Sequence, residues 1–161
     1  MSPTSEVIGY VTLEEANEYV TDHFMSSNAT RVAWETLSDA DKMVLLRNSY
    51  RAIEMLAFRG RKTNKTQPSA FPRWPSTDVP ASIKEAQIAN AIVLADESTQ
   101  DDVAYYDRLR TFGVKNYHIG DLSESLNTSA ESSPTSSYQG IYSQEAARLL
   151  SPWLGGGFKI V

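Results

Sequence analysis

The sequence predicts a mainly α-helical protein, a small bundle of three to four main helices. Apolar residues recur at spacings of three and four in several segments, and short polar residues suited to cap helices precede those segments. The expected fold also includes a long proline-rich loop and a serine-rich extended arm, in which short β-strands are possible. It ends in a short C-terminal helix and tail. We expect the bundle to span 1–122 and the arm, with a docking segment, to span 123–161.

A capping-box pattern starts the first helix. The Thr12 hydroxyl can accept a hydrogen bond from the backbone N–H of Glu15, and the Glu15 carboxylate can accept one from the backbone N–H of Thr12. This predicts a helix over 13–25 after a loose lead over 1–9. Residues 29–37, which carry Trp34, are predicted to be a connection.

Ser38 is placed to cap a second main helix. Two aspartates follow it, where the helix dipole favours negative charge. The apolar periodicity of 45–58 is the strongest in the chain, so we expect the helix to extend to Phe58. Gly60 is placed to end it.

The stretch 61–79 is rich in proline and shows little periodicity. We predict an irregular loop held against the helices by Phe71 and Trp74. Pro80 then starts a third helix over about 81–97. Because this helix is apolar around much of its circumference, it should be the central buried one.

The remainder of the chain carries weaker signals. Residues 101–110 are predicted to form a short fourth helix, and 114–122 a short strand. Residues 123–140, rich in serine and threonine, should be a long loop or linker. Ser143 is placed to cap a last short helix that runs through Leu150.

Composition and motifs together argue against catalysis. The chain has no cysteine, which rules out disulfides, thiolate metal sites and a cysteine nucleophile. His23 and His118 have no second ligand at metal-binding spacing, and the glycines at 155–157 lack the other residues of a phosphate-binding loop. We therefore expect no enzyme, no metal and no cofactor, and look for a function in binding.

The chain is acidic and has no membrane-span signal. Its net charge of −5 argues against a surface that follows nucleic acid over its whole extent, although a local basic patch remains open. No apolar run approaches the ~20 residues of a membrane span, and 1–9 does not resemble a signal peptide. We expect a soluble protein that acts where it is made.

A basic stretch beside two aromatic residues is the first candidate binding surface. Cations neutralise phosphates and rings stack bases, as a single-strand-binding surface requires. The alternative, which we favour at this point, is a solvated loop whose aromatic residues lie in the core and whose arginines pair with acids of a neighbouring helix or subunit. The basic residues are Arg59, Arg61, Lys62, Lys65 and Arg73, and the aromatic ones are Phe71 and Trp74.

The C-terminal end is the second candidate. Its large apolar side chains are costly to leave in water. Either the end folds back as an edge strand on its own domain or it docks on another chain, and the preceding linker favours the partner. A chain cut after Pro152 should then keep its helical fold and lose docking. The docking residues would be Trp153, Leu154, Phe158, Ile160 and Val161.

Four stretches follow one another in a distinctive order. They are YVTLEEANEY at 10–19, FRGRK at 58–62, QPSAFPR at 67–73 and VPASIKEA at 79–86. The order resembles the head–tail connector proteins (adaptor or head-completion proteins) of tailed bacteriophages. It is also similar to that of primosomal-type single-strand-DNA-binding proteins. The resemblance covers about 10–96 well, and its most specific part is 67–86.

The connector resemblance implies a helical protein that works by assembly. Copies of it would form a ring, typically of twelve, beneath the portal of a filled capsid, and would extend the channel for double-stranded DNA. The ring would offer a platform to the next neck or tail protein, and its C-terminal segments would reach the portal protein. The resemblance thus implies a virion protein of the head–tail junction, assembled in the host cytoplasm. The basic residues would then make subunit contacts or a local collar facing DNA, and a single-stranded-DNA-binding module is the alternative.

Overall fold

The structure is a computed structural model that describes residues 6–95, 116–119, 122–125 and 140–154. Within these ranges the protein is mainly helical, which confirms the predicted fold class. The two sheets described are both antiparallel pairs of short strands. No helix of the described part is long and apolar enough to cross a membrane.

The elements follow this order along the chain. They are β1 (Val7–Ile8), β2 (Val11–Thr12), α1 (Leu13–His23), α2 (Ala29–Thr36), α3 (Asp39–Glu54), α4 (Ala81–Val93), β3 (Asn116–Ile119), β4 (Leu122–Ser125), α5 (Gln144–Leu150) and a 3₁₀ turn (Ser151–Trp153).

The N-terminal lead, predicted to be loose, forms a tight hairpin in its described part. Ile8 pairs with Val11, and both side chains are buried. Gly9 makes the turn with a φ of 70°. A Cβ atom there would clash with the ring of Tyr50, so only glycine fits. The apolar residues of this segment therefore belong to the core.

The predicted capping box is present at the start of α1. The Thr12 hydroxyl accepts a hydrogen bond from the backbone N–H of Glu15 at 3.1 Å, and the Glu15 carboxylate accepts one from Thr12 at 2.8 Å. Burial raises the pKa of Glu15, but the Thr12 backbone and the Lys84 ammonium outweigh burial and lower it overall. Helix α1 ends at His23, two residues before the predicted end.

The predicted connection over 29–37 is wrong, because these residues form helix α2. The Asn28 side chain caps it by accepting from the backbone N–H groups of Thr30 and Arg31. Trp34 is buried on its inner face and donates its indole N–H to Asn17 at 3.0 Å. Burial of this one large ring gives a short helix a place in the core.

Helix α3 begins after its Ser38 cap, as predicted, but ends at Glu54 rather than at Phe58. Gly60 does not end the helix. It lies further on, in the loop, with a φ of 77°. Phe58 reaches the core from the loop, where its ring packs edge-on against Phe71 with centroids 4.8 Å apart.

Helix α4 is the central buried helix that the sequence predicts, although it ends at Val93 and not at 97. The buried side-chain amides of Gln87 and Asn90 hold two segments that are far apart in sequence. Gln87 bonds the backbone of the N-terminal hairpin, and Asn90 bonds that of 140–143.

The C-terminal helix α5 packs on α4 and shares its core. Ser143 caps it, as predicted, and Leu150 is fully buried. Residues 140–154 belong to the segment that the sequence assigns to the arm, 123–161. In the structure they contribute to the same core as the helices.

The strand predicted over 114–122 is in fact a hairpin in its described part. Asn116–Ile119 pairs with Leu122–Ser125, so Leu122 lies in a second strand and 123–125 is not loop. Gly120-Asp121, between the strands in sequence, is a pair that favours two-residue hairpin turns. The helix predicted over 101–110 lies outside the described residues.

Candidate nucleic-acid interface

The proline-rich loop between α3 and α4 folds back on itself. Lys62 and Arg73 form an antiparallel bridge. The N–H of Trp74 donates to the carbonyl of Arg61 at 3.0 Å. The peptide bonds before Pro72 and Pro75 are cis. This pairing brings the cations at the start of the loop next to the aromatic residues at its end.

Tyr10 and Glu54 anchor the loop to the core. The Tyr10 hydroxyl donates to the Glu54 carboxylate and accepts from the N–H of Phe71 at 3.3 Å. Glu54 also accepts from the N–H of Ala70 at 3.0 Å. Burial, together with the Glu54 carboxylate, raises the pKa of Tyr10 far above its usual range. The hydroxyl therefore remains a donor at every pH at which the protein would work.

Phe71 lies in the core rather than on the surface. Its ring is 2% exposed and meets those of Tyr10, Phe58 and Trp153 edge-on. It has no free face on which a nucleic-acid base could stack, so it cannot serve in the single-strand-binding surface. Of the two alternatives that the sequence leaves open for Phe71, the structure shows the second, an aromatic residue packed in the core.

Arg73 is a structural residue of the loop. Its guanidinium donates to the carbonyls of Arg59 at 2.6 Å, Gly60 at 2.7 Å, Ala70 at 3.1 Å and Phe58 at 3.3 Å. A planar fork of donors suits such a set of acceptors, whereas a lysine ammonium does not. All three guanidinium nitrogens are thus engaged, which leaves Arg73 as a source of positive charge rather than a phosphate ligand.

Arg59 holds the C-terminal segment against the loop. Its backbone N–H donates to the carbonyl of Trp153 at 2.8 Å, and its Nε donates to that of Leu154 at 2.6 Å. Within the described part of the chain, neither Arg59 nor Arg73 has an acidic partner. The expected pairing of these arginines with acids of a neighbouring helix is therefore replaced by bonds to carbonyls.

The other three cations of the loop are exposed, and one of them covers an exposed indole. Arg61, Lys62 and Lys65 all lie at the surface. The guanidinium of Arg61 lies 4.6 Å from the ring centroid of Trp74, and Trp74 is 59% exposed. The only acidic residue in the sequence from 55 to 80 is Asp78. This surface can attract phosphates and offer a ring to a base.

The exposure of Trp74 corrects the prediction that this residue packs against the helices. Sequence reasoning paired it with Phe71, since both are aromatic and lie beside prolines. In the structure only one of these two rings is buried, that of Phe71. Which of the two rings packs in the core thus becomes visible only from the structure.

Trp153 and Leu154 lie within the protein's own domain. Leu154 is 4% exposed and bridges to Phe58. The indole N–H of Trp153 donates to the hydroxyl of Ser82 at 3.1 Å. For these two residues the structure shows the fold-back alternative, and the other three proposed docking residues, Phe158, Ile160 and Val161, lie outside the described residues.

An open groove of about 500 Å³ separates the loop from the C-terminal segment. Among the described residues, its lining combines two arginines, two tryptophans and no acidic side chain. The lining residues are Arg59, Gly60, Arg73, Trp74, Pro75, Ser76, Pro152 and Trp153.

A family model described as "Putative DnaT-like ssDNA binding protein" matches residues 4–160. The chain belongs to this family. No curated protein and no solved structure matches the chain. The match agrees with the similarity to primosomal-type single-strand-DNA-binding proteins, and the comparisons lend no support to the connector resemblance.

The DnaT-like match includes the loop and the C-terminal segment alike. The five predicted cations do come from one loop, but the fold divides them by role. Arg59 and Arg73 hold backbone carbonyls, whereas Arg61, Lys62 and Lys65 face solvent. Among the described residues no group of His, Asp and Glu side chains is placed to hold a metal ion.

Proposed function

We propose that this protein binds single-stranded DNA through the side chains of Arg61, Lys62, Lys65 and Trp74, which we call the loop surface. The observation that carries the proposal is the pair formed by Arg61 and Trp74. A half-exposed indole under a guanidinium 4.6 Å from its ring is available for stacking. The description of the family, which names binding of single-stranded DNA, supports the same function.

The charge distribution makes this binding local and selective for single strands. The chain as a whole is acidic, with a net charge of −5, so we expect phosphates to be attracted locally, where the basic loop is exposed. The loop surface combines cations with one open ring, and every unpaired base has a face that can stack on it. In a duplex those faces are already stacked on one another, which leaves the indole without a ligand.

Removal of two charges from the loop surface tests the proposal. We expect Arg61→Gln with Lys62→Gln to weaken the binding of an oligothymidylate strongly at low salt. The slope of log affinity against log salt should fall by about 1.4, because each phosphate contact to a single strand contributes about 0.7. Fluorescence anisotropy of a labelled oligonucleotide, measured over a series of salt concentrations, gives both quantities.

The matched control removes two exposed cations from helix α3. Arg47→Gln with Arg51→Gln changes the net charge equally but leaves the loop intact. If the control weakens binding as much as the loop variant does, the loop surface is not the site. If the unaltered protein shows no salt-dependent binding at low ionic strength, the proposed function itself is wrong.

A second candidate function is that of a phage head-to-tail adaptor. It rests on the resemblance of 10–96 to connector proteins, and the residues of that resemblance form the framework of the fold. Gln67, in the most specific stretch, ties the loop by donating to the carbonyls of Ser69 at 2.9 Å and Pro72 at 2.8 Å. In this role the protein would act without catalysis, as a ring between the portal and the neck at the head–tail junction, around double-stranded DNA.

The adaptor function predicts assembly with portal rings. Mixed with purified portal rings, the protein should add a whole ring of its own copies, which native mass spectrometry would detect as one discrete increase in mass. A monomer in solution does not bear on this result, because such rings assemble on their partner. Portal rings whose mass stays unchanged at saturating protein would contradict the adaptor function and leave the DNA-binding proposal standing.

A further inference from the structure

A groove lies between the loop and the C-terminal segment, next to the loop surface. Its volume of about 500 Å³ falls within the ~300–1,000 Å³ typical of sites for small ligands. Trp74 belongs to both the groove and the loop surface, so a strand that stacks on this indole lies at the mouth of the groove.

We propose that the groove receives one nucleotide of the bound single strand, with its base against the indoles and its phosphate against Arg59. The inference rests on the proposed function, since the same strand occupies both places. It extends that function by adding a second indole, that of Trp153, and a specific phosphate ligand to the site.

Charge is the first reason for this occupant. Arg59 is exposed, and its Nε is held by the carbonyl of Leu154. Its two terminal guanidinium nitrogens make no hydrogen bond or ion pair with any described residue. The guanidinium is thus positioned by one bond and keeps a pair of donors for a phosphate, which a fork of this kind binds well. Arg73 adds its charge to the groove, and no acidic side chain of the described part of the chain lines it.

The aromatic lining is the second reason. Trp74 and Trp153 both line the groove. The ring of Trp153 is held from behind, edge-on against Phe71 with centroids 5.5 Å apart and by its bond to Ser82. The fixed indole of Trp153, with that of Trp74 and the guanidinium of Arg59 on the same groove, suits an unpaired base with its phosphate. A base within a duplex has no free face to offer them.

Tryptophan emission in a Trp74→Phe variant tests the occupancy of the groove. Trp34 is 1% exposed, so Trp153 is the indole that DNA can reach in this variant, while phenylalanine keeps a ring on the loop surface. We expect saturating oligothymidylate to quench the remaining emission. Binding that is retained, by anisotropy, without any change in emission would overturn the groove proposal and leave the loop surface as the site.

A charge placed in the groove gives a second test in a chain that keeps all its tryptophans. Pro152 lines the groove, is exposed and lies in the first turn of the 3₁₀ helix, where a carboxylate is tolerated. We expect Pro152→Glu to bind oligothymidylate about fivefold or more weakly than its neutral match Pro152→Gln, because like charges repel at close range. Equal affinities of the two variants would overturn the groove proposal. Absence of binding by the unaltered protein would instead overturn the proposed function.

Discussion

A chain that ends at Pro152 should be far less stable than a chain that ends at Leu154. The shorter chain lacks Leu154, which is 4% exposed, and Trp153, whose ring packs against Phe71. Loss of a buried leucine or tryptophan side chain costs about 2–5 kcal/mol. We therefore expect the free energy of unfolding to fall by about 4 kcal/mol or more.

The polar contacts add to this loss. Arg59 donates from its backbone to Trp153 and from its side chain to Leu154, and Ser82 accepts from the indole. Urea denaturation followed by circular dichroism would compare the two chains. Because they differ only in these two residues, the chain that ends at Leu154 is the control for removal of 155–161. Equal midpoints would show that the two residues contribute nothing to the core.

This expectation replaces the one drawn from sequence, in which a chain cut after Pro152 keeps its fold and loses only docking. A cut at that point would change stability and docking together. Docking of the C-terminal end to a portal stays a prediction, and it is tested more sharply by the chain that ends at Leu154. That chain keeps the packed residues and lacks Phe158, Ile160 and Val161.

Helix caps could be predicted from the sequence because they depend on neighbours in the chain. The capping box at Thr12 and the caps at Ser38 and Ser143 are all present. Helix α2 was missed because three β-branched residues in eight weaken its helix propensity. Its cap, Asn28, follows two serines, and a run of such short polar residues is equally typical of the end of a helix. The burial of Trp34 decides in favour of the helix, and burial is not a local property.

The roles of the loop cations could not be predicted, because they depend on which backbone groups the folded loop brings together. Nothing in the spacing of Arg73 indicates that carbonyls of residues 58–60 and 70 surround it. Arg61 meets Trp74 only because the bridge between Lys62 and Arg73 sets the register. Composition identified the basic stretch, and tertiary structure then assigned three of its cations to the surface.

Gln87→Leu, a substitution in the buried helix α4, should strongly destabilise the protein. The side chain is fully buried. Its amide nitrogen donates to the carbonyls of Ile8 at 2.7 Å and Leu46 at 3.1 Å, and its oxygen accepts from the N–H of Tyr10 at 3.0 Å. Leucine would leave three buried backbone groups without these partners. At about 1–3 kcal/mol for each group, the free energy of unfolding should fall by about 3 kcal/mol or more.

Gln144→Leu is the matched control. It makes the same chemical change at an exposed position, the first residue of α5, where substitutions usually shift stability by less than about 0.5 kcal/mol. Urea midpoints of the two variants, with equal slopes, would give the difference directly. A Gln87→Leu chain within about 1 kcal/mol of the unaltered protein would mean that the hairpin and α3 find other partners for the freed groups.

The loss of stability should also be local, because the two buried amides of α4 bind different segments of the chain. Gln87 serves the hairpin, whereas Asn90 accepts from the N–H groups of Tyr142 at 2.8 Å and Ser143 at 3.3 Å. In hydrogen exchange, Gln87→Leu should therefore speed exchange at the amide of Tyr10 much more than at those of Tyr142 and Ser143. An equal increase at all three amides would show that the substitution acts through global unfolding, and that the hairpin is not held separately by Gln87.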